Sequence, residues 1–154
     1  MNRKGAFLAA VVGLSFALAA PAPAEELSAE GQKAGSKVVV RDLKRDIAGT
    51  VTLRFQIINE GEQNFKTYNV LGEYYGMDKI SLIDTANKKK YLVVKDSEGV
   101  CICSELKDEV EPGTRFNLWA KYPAPPDAVK QITVLFPGFE PIESVPILAA
   151  PQAQ

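Results

Sequence analysis

Thr50-Val51-Thr52-Leu53-Arg54-Phe55-Gln56-Ile57-Ile58 decides the fold class. Val51, Leu53, Phe55 and Ile57 share one face and Thr52, Arg54 and Gln56 the other, which is the two-residue period of a half-buried strand. Asn59-Glu60-Gly61 closes it with turn residues. Working outward, Arg115 to Tyr122 alternates the same way, with Phe116, Leu118, Ala120 and Tyr122 inward. Lys130 to Phe136 places Ile132, Val134 and Phe136 on one side. Lys79 to Asp84 and Lys90 to Lys95 are β-rich runs joined by Thr85-Ala86-Asn87-Lys88, the pattern of a hairpin. Weaker strands are expected at Val38–Leu43, Phe65–Leu71 and Ser144–Ile147. No stretch of ten residues carries a helical stripe, and one helical turn is expected near Ser104 to Val110. Seven or eight short strands without intervening helices predict an all-β protein, an antiparallel β-sandwich with immunoglobulin-like topology. A small barrel is the alternative, because alternation alone does not separate the two.

The N-terminus reads as an address. Arg3 and Lys4 precede an uncharged apolar run from Ala6 to Ala20, and Pro21-Ala22-Pro23-Ala24 supplies the small residues of a cleavage site. A signal peptide over 1–24, cut after Ala24, is the expectation. The run spans 15 residues, short of the about 20 that a spanning helix needs, so no stable membrane insertion is expected after cleavage. Losing Arg3 and Lys4 and no acid leaves 16 basic against 19 acidic groups, a net charge of −3. The protein is then periplasmic or extracellular, in an oxidising compartment. Polar residues 25–36 read as a flexible leader, 37–148 as the sandwich, and 149–154 as a disordered tail.

Composition excludes several chemistries. The chain has no His and two Cys, so histidine-based catalysis and histidine zinc sites are out, and two cysteines alone build no structural zinc site. The charge balance gives no reason to expect nucleic acid. No phosphate loop, nucleophile elbow or framed carboxylate pair occurs. The expectation is therefore a protein that is not an enzyme and carries no metal or cofactor.

The candidate sites are few. Cys101-Ile102-Cys103 is the most specific. On an extended strand the two Cα atoms would stand about 6.6 Å apart, near the limit for a disulfide, so a bridge requires a tight turn, which Gly99 makes feasible. Closing so short a loop removes only about 1.6 kcal/mol of chain entropy. A structural disulfide, two buried thiols, and a redox or copper(I) pair all remain open. Trp119 falls on the outer face of its strand, and with Leu135 it forms a candidate partner-binding patch if the next strand is its neighbour. The competing expectation is that a Pro-rich segment, 123–126 or 137–146, folds over the ring. Lys88-Lys89-Lys90 could meet a phosphate or an anionic lipid surface, but at a hairpin turn it reads first as solvated lysines. Glu105, Asp108, Glu109 and Glu111 lack a calcium-loop spacing. Tyr74-Tyr75-Gly76-Met77 reads as an apolar loop.

Leu82-Ile83-Asp84-Thr85 leading into Lys90-Tyr91-Leu92, then Cys101-Ile102-Cys103-Ser104 and Glu111-Pro112-Gly113-Thr114, run in a telling order. Tyr122-Pro123-Ala124-Pro125-Pro126 and Phe136-Pro137-Gly138-Phe139, running to Val145-Pro146-Ile147, complete it. Over residues 37–148 the chain resembles a secreted bacterial immunoglobulin-like domain of unknown function, one that precedes an OmpA-like, peptidoglycan-binding domain in some members. The resemblance implies a β-sandwich and export, and brings no catalytic residues. The longer members continue into the wall-binding domain and these 154 residues do not, so no cell-wall role is carried over. The expected function is an exported interaction module whose partner is an unknown protein or envelope component. The alternative is thiol-redox or copper(I) handling through Cys101 and Cys103.

Overall fold

A computed structural model describes residues 26–71 and 76–150. The expected signal peptide, most of the tail (151–154), and Tyr74 and Tyr75 of the apolar loop lie outside the described residues. The protein is all-β. Its strands are β1 (Ser28–Glu30), β2 (Ser36–Arg45), β3 (Thr50–Asn59), β4 (Phe65–Lys66), β5 (Ser81–Asp84), β6 (Lys89–Leu92), β7 (Glu109–Val110), β8 (Arg115–Pro123), β9 (Gln131–Leu135) and β10 (Ile142–Leu148). A four-residue helix α1 (Tyr68–Leu71) and a 3-10 turn over Gly76–Lys79 are the helical pieces among the described residues.

The strands form a curled sheet in the order β6-β5-β9-β10-β2-β3-β8, with β1 on β2, while β4 and β7 pair separately. The alternation read from the sequence sets the inner face. Val51, Leu53, Phe55 and Ile57 are at most 1% exposed, and Leu118, Ala120, Tyr122, Ile132, Val134 and Phe136 join them in one core.

The sheet is mixed, not antiparallel throughout. Leu43 and Lys44 of β2 pair in parallel with Ile147 and Leu148 of β10. Period alone carries no strand direction, so the sequence did not reveal this pair. The alternation of β2 also breaks. Val38 and Val40 face the core, the register with β3 slips between Val40 and Asp42, and Leu43 rather than Asp42 is buried next. Arg41 is the extra residue of this bulge, which restores an apolar side chain to the core face.

Three further expectations change. Residues 28–30 of the supposed flexible leader form β1, pairing with Lys37–Val39. β10 reaches only the far half of β2, so the near half presents open backbone groups that β1 occupies. The strand expected over Phe65–Leu71 stops at Lys66 and turns into α1. The helical turn expected near Ser104–Val110 is extended instead, because Thr67 takes its backbone and hydroxyl partners there: its N–H donates to Asp108 O and its hydroxyl to Lys107 O.

Candidate functional site

The two ends of the curled sheet meet around Cys101 and Cys103. After β6 the chain continues through Val93, which is 7% exposed, and reverses at Asp96–Val100. The Asp96 carboxylate accepts the N–H groups of Glu98 and Val100, both at 2.9 Å, and Gly99 adopts φ 82°, where a side chain would be strained. The returning strand-like segment meets both Val94 and β8. Ile102 N–H donates to Val94 O (2.8 Å), Lys121 N–H to Ile102 O (3.0 Å), and Val94 N–H to Lys121 O (2.8 Å). These three backbone bonds close the sheet on itself and cover the outer edge of β8.

Cys101 bridges to Lys95 and Cys103 to Ala120 on either side of this junction. The two cysteines are paired at disulfide distance, with Cα atoms 5.4 Å apart, inside the range a disulfide accepts. The tight geometry anticipated for a bridge is supplied by Ile102 at the three-way junction. Both cysteines are half-buried and pack against the core. Among the described residues no group of three or more His, Cys, Asp or Glu converges on a point that could hold a metal.

Trp119 lies on the outer face of β8, 36% exposed, opposite Arg54 of β3. Its N–H donates to the Ser104 hydroxyl and its C=O accepts from Ser104 N–H, both at 2.9 Å. The structure does not bring Leu135 to it. Leu135 is half-buried on β9 opposite Ser81, and β10, β2 and β3 stand between β9 and β8. The strand after β8 is not its neighbour, so the two-residue patch does not form. Residues 123–126 are tied to the β2–β3 turn: Ala124 N–H donates to Gly49 O, and the Arg45 guanidinium donates to Pro125 O, Pro126 O and Val129 O.

Lys88 occupies the left-handed turn position (φ 53°) of the expected hairpin, and Lys88, Lys89 and Lys90 are exposed. The Asp84 carboxylate holds this turn through the N–H and side-chain amide of Asn87, which lowers its pKa. Glu105, Asp108, Glu109 and Glu111 are exposed, and Met77 of the apolar loop is buried.

Two residues organise a neighbouring surface and were missed. Arg45 gathers the three carbonyls of the 125–129 loop and pairs with Asp127 at 3.4 Å. Asp46 accepts from Lys121 Nζ (2.8 Å), from the Thr50 hydroxyl, and from the N–H groups of Ala48 and Thr50. Lys121 and Thr50, in that order, hold its carboxyl well below the usual range. An Asp followed four residues later by Thr is a readable turn signal, whereas the Arg45 contacts span 80 or more residues and leave no local trace.

No protein-family model matches the sequence, and no curated protein matches it. Among the described residues no helix is long and apolar enough to cross a membrane.

Proposed function

We propose that this chain is an exported, non-enzymatic immunoglobulin-like module that acts by contact with another protein or an envelope component. The strand order supports the finer fold. In this reading β2, β3 and β8 take the roles of strands A, B and E of an immunoglobulin domain, and β10, β9, β5 and β6 those of G, F, C and C′, an assignment the order β6-β5-β9-β10-β2-β3-β8 supports. β2 crosses between the groups through its two-residue parallel pairing with β10. The resemblance to a secreted domain with no catalytic residues agrees with this order, and the basic, apolar N-terminus supports export. Trp119 is the observation that carries the role: a large aromatic standing on an outer sheet face is the side chain type that anchors protein contacts. Capture from envelope extracts on the immobilised protein is expected to be lost with Trp119→Ala and kept with Leu135→Ala. Capture that ignores Trp119, or a monomer that captures nothing, overturns this reading.

The pairing of Cys101 with Cys103 at disulfide distance favours a second reading, a thiol-redox or copper(I)-handling protein. A thiolate of an external dithiol attacks one sulfur of the bridge, and its second thiolate displaces the mixed disulfide, leaving two cysteine thiols and an oxidised donor. The thiolates so released are soft ligands suited to copper(I). Mass measurement after alkylation is expected to show no adduct in the untreated protein and two after dithiothreitol. Free alkylation without reductant eliminates the bridge, and a bridge that a dithiol leaves intact eliminates the redox reading.

A further inference from the structure

One end of the sheet gathers groups that are far apart in sequence. Asp84 pairs with Lys89 across the β5–β6 turn, and that turn borders residues 128–131 across a shallow cleft of about 270 Å³. Ile147 N–H donates to Lys130 O, Leu148 pairs with Lys44, and Arg45 binds the 125–129 carbonyls. The β2–β3 turn, the β5–β6 turn, the β8–β9 loop and the exit of β10 therefore share this end.

Its charges do not balance. Asp46 is bound to Lys121, Asp127 pairs with Arg45, and Asp84 is held by Asn87. Lys44, Lys88, Lys89, Lys90 and Lys130 have no carboxylate within ion-pair distance among the described residues. The opposite end, where Glu60 N–H meets Gly35 O and Gln32 N–H meets Gly138 O, carries Glu30, Glu60, Glu62, Glu111 and Glu140 against Lys33, Lys37 and Arg115. The chain is thus polarised along its length, although the mature charge is slightly negative.

Ile47 stands at this same end, at the tip of the β2–β3 turn, 90% exposed, and Leu148 beside β2 is 45% exposed. A β-branched residue has no conformational reason to sit at a turn tip, where Gly, Asn and Asp are favoured. Ile47 projects from its turn and does not line the shallow cleft beside residues 128–131. Projecting apolar groups ringed by lysines match the interface of an anionic bilayer, where the lysines meet headgroup phosphates and the aliphatic tip enters the acyl boundary.

We infer that the lysine end, with Ile47 at its tip, docks peripherally on an anionic lipid membrane surface. The inference rests on the contact-module reading above and names a partner for it, through a surface that does not include Trp119. Co-sedimentation tests it, using phosphatidylcholine vesicles with or without phosphatidylglycerol. Binding is expected only with the anionic lipid, and high salt should release it because the attraction is screened. Each exposed lysine contributes about fivefold near such a surface, so Lys88→Asn, Lys89→Gln and Lys90→Gln combined should weaken binding about a hundredfold. Asn suits the left-handed backbone at position 88. Ile47→Ser should weaken binding without changing its salt dependence, and Lys33→Gln at the opposite end should leave it unchanged. All these residues are exposed, so matching thermal unfolding is expected and is checked in parallel. Equal binding to neutral vesicles, indifference to the triple substitution, or binding to an acidic polypeptide but not to vesicles overturns the inference. If vesicles fail while Trp119-dependent capture persists, the contact-module reading stands without this partner.

Discussion

Phe55→Ala is expected to lower the unfolding free energy by about 3–5 kcal/mol. Phe55 is 1% exposed, and its ring centroid lies 4.9 Å from that of Phe136, tilted by 57°. β3 and β9 are separated in the sheet by β2 and β10, so the contact runs across the interior of the curl and not along a strand pair. Phe136 in turn meets Phe139 edge-on at 6.3 Å. Truncating Phe55 therefore opens a cavity inside the curl, between side chains of strands that are not neighbours in the sheet. For a domain whose stability lies in the usual range of about 5–15 kcal/mol, this is a large share. Urea unfolding followed by fluorescence reads it as a lower midpoint with an unchanged slope. Phe55→Leu, which keeps most of the volume, should lose about 1 kcal/mol. A loss for Phe55→Ala no larger than that for Phe55→Leu would contradict the cross-sheet packing.

The second large effect belongs to a polar residue. Asn59, at 0% exposure, ends β3 and ties down two segments, 61–63 and 110–114. Its side-chain amide donates to Gln63 O and Val110 O, both at 2.9 Å, and its carbonyl oxygen accepts Gly61 N–H at 2.9 Å. Its backbone bonds the 111–114 turn through Thr114 O and Gly113 N–H. Asn59→Ala keeps the backbone bonds but strands the buried Val110 O, which costs about 1–3 kcal/mol when left unpaired, and the part-buried Gln63 O and Gly61 N–H, which cost less. A net loss of about 3 kcal/mol is expected, part of the gross cost being relieved by water entering the turn. Asn59→Asp should be worse at neutral pH, since a carboxylate cannot donate to either carbonyl. Facing those carbonyls raises its folded pKa. The Asp variant should therefore regain stability as pH falls towards the carboxylate range and lose it as pH rises through the raised value. Unfolding midpoints of both variants across that range check the order. Equal midpoints for the wild type and Asn59→Ala would show that the three bonds contribute nothing.

The sites were legible to the extent that their signals were local. Cys101-Ile102-Cys103 could be flagged from spacing, and Gly99 was read as the residue that makes a close approach feasible. The junction that sets the approach lay beyond reach, because Ile102 is held by Val94 and by Lys121, the latter 19 residues away in the chain. Trp119 was correctly placed on an outer face by parity, whereas its pairing with Leu135 required strand adjacency, which period does not encode. Lys88-Lys89-Lys90 read as solvated turn lysines for the same reason: nothing nearby in sequence announces Lys44, Lys130 or Ile47.

What the sequence by itself determined was the set of strands with an inner and an outer face, since a two-residue period follows from backbone geometry that each segment carries within itself. It also determined that histidine chemistry has no side chain in this sequence to carry it. Only the tertiary structure decided the partners of those strands. The parallel β2–β10 pair, the docking of β1 and the closure of the sheet at Lys121 depend on backbone groups, which are identical in every residue and so leave no mark in the sequence. The same physics governs the lysine end. Five like charges and an exposed isoleucine become one surface only when β2, β6, β9 and β10 bring their ends together.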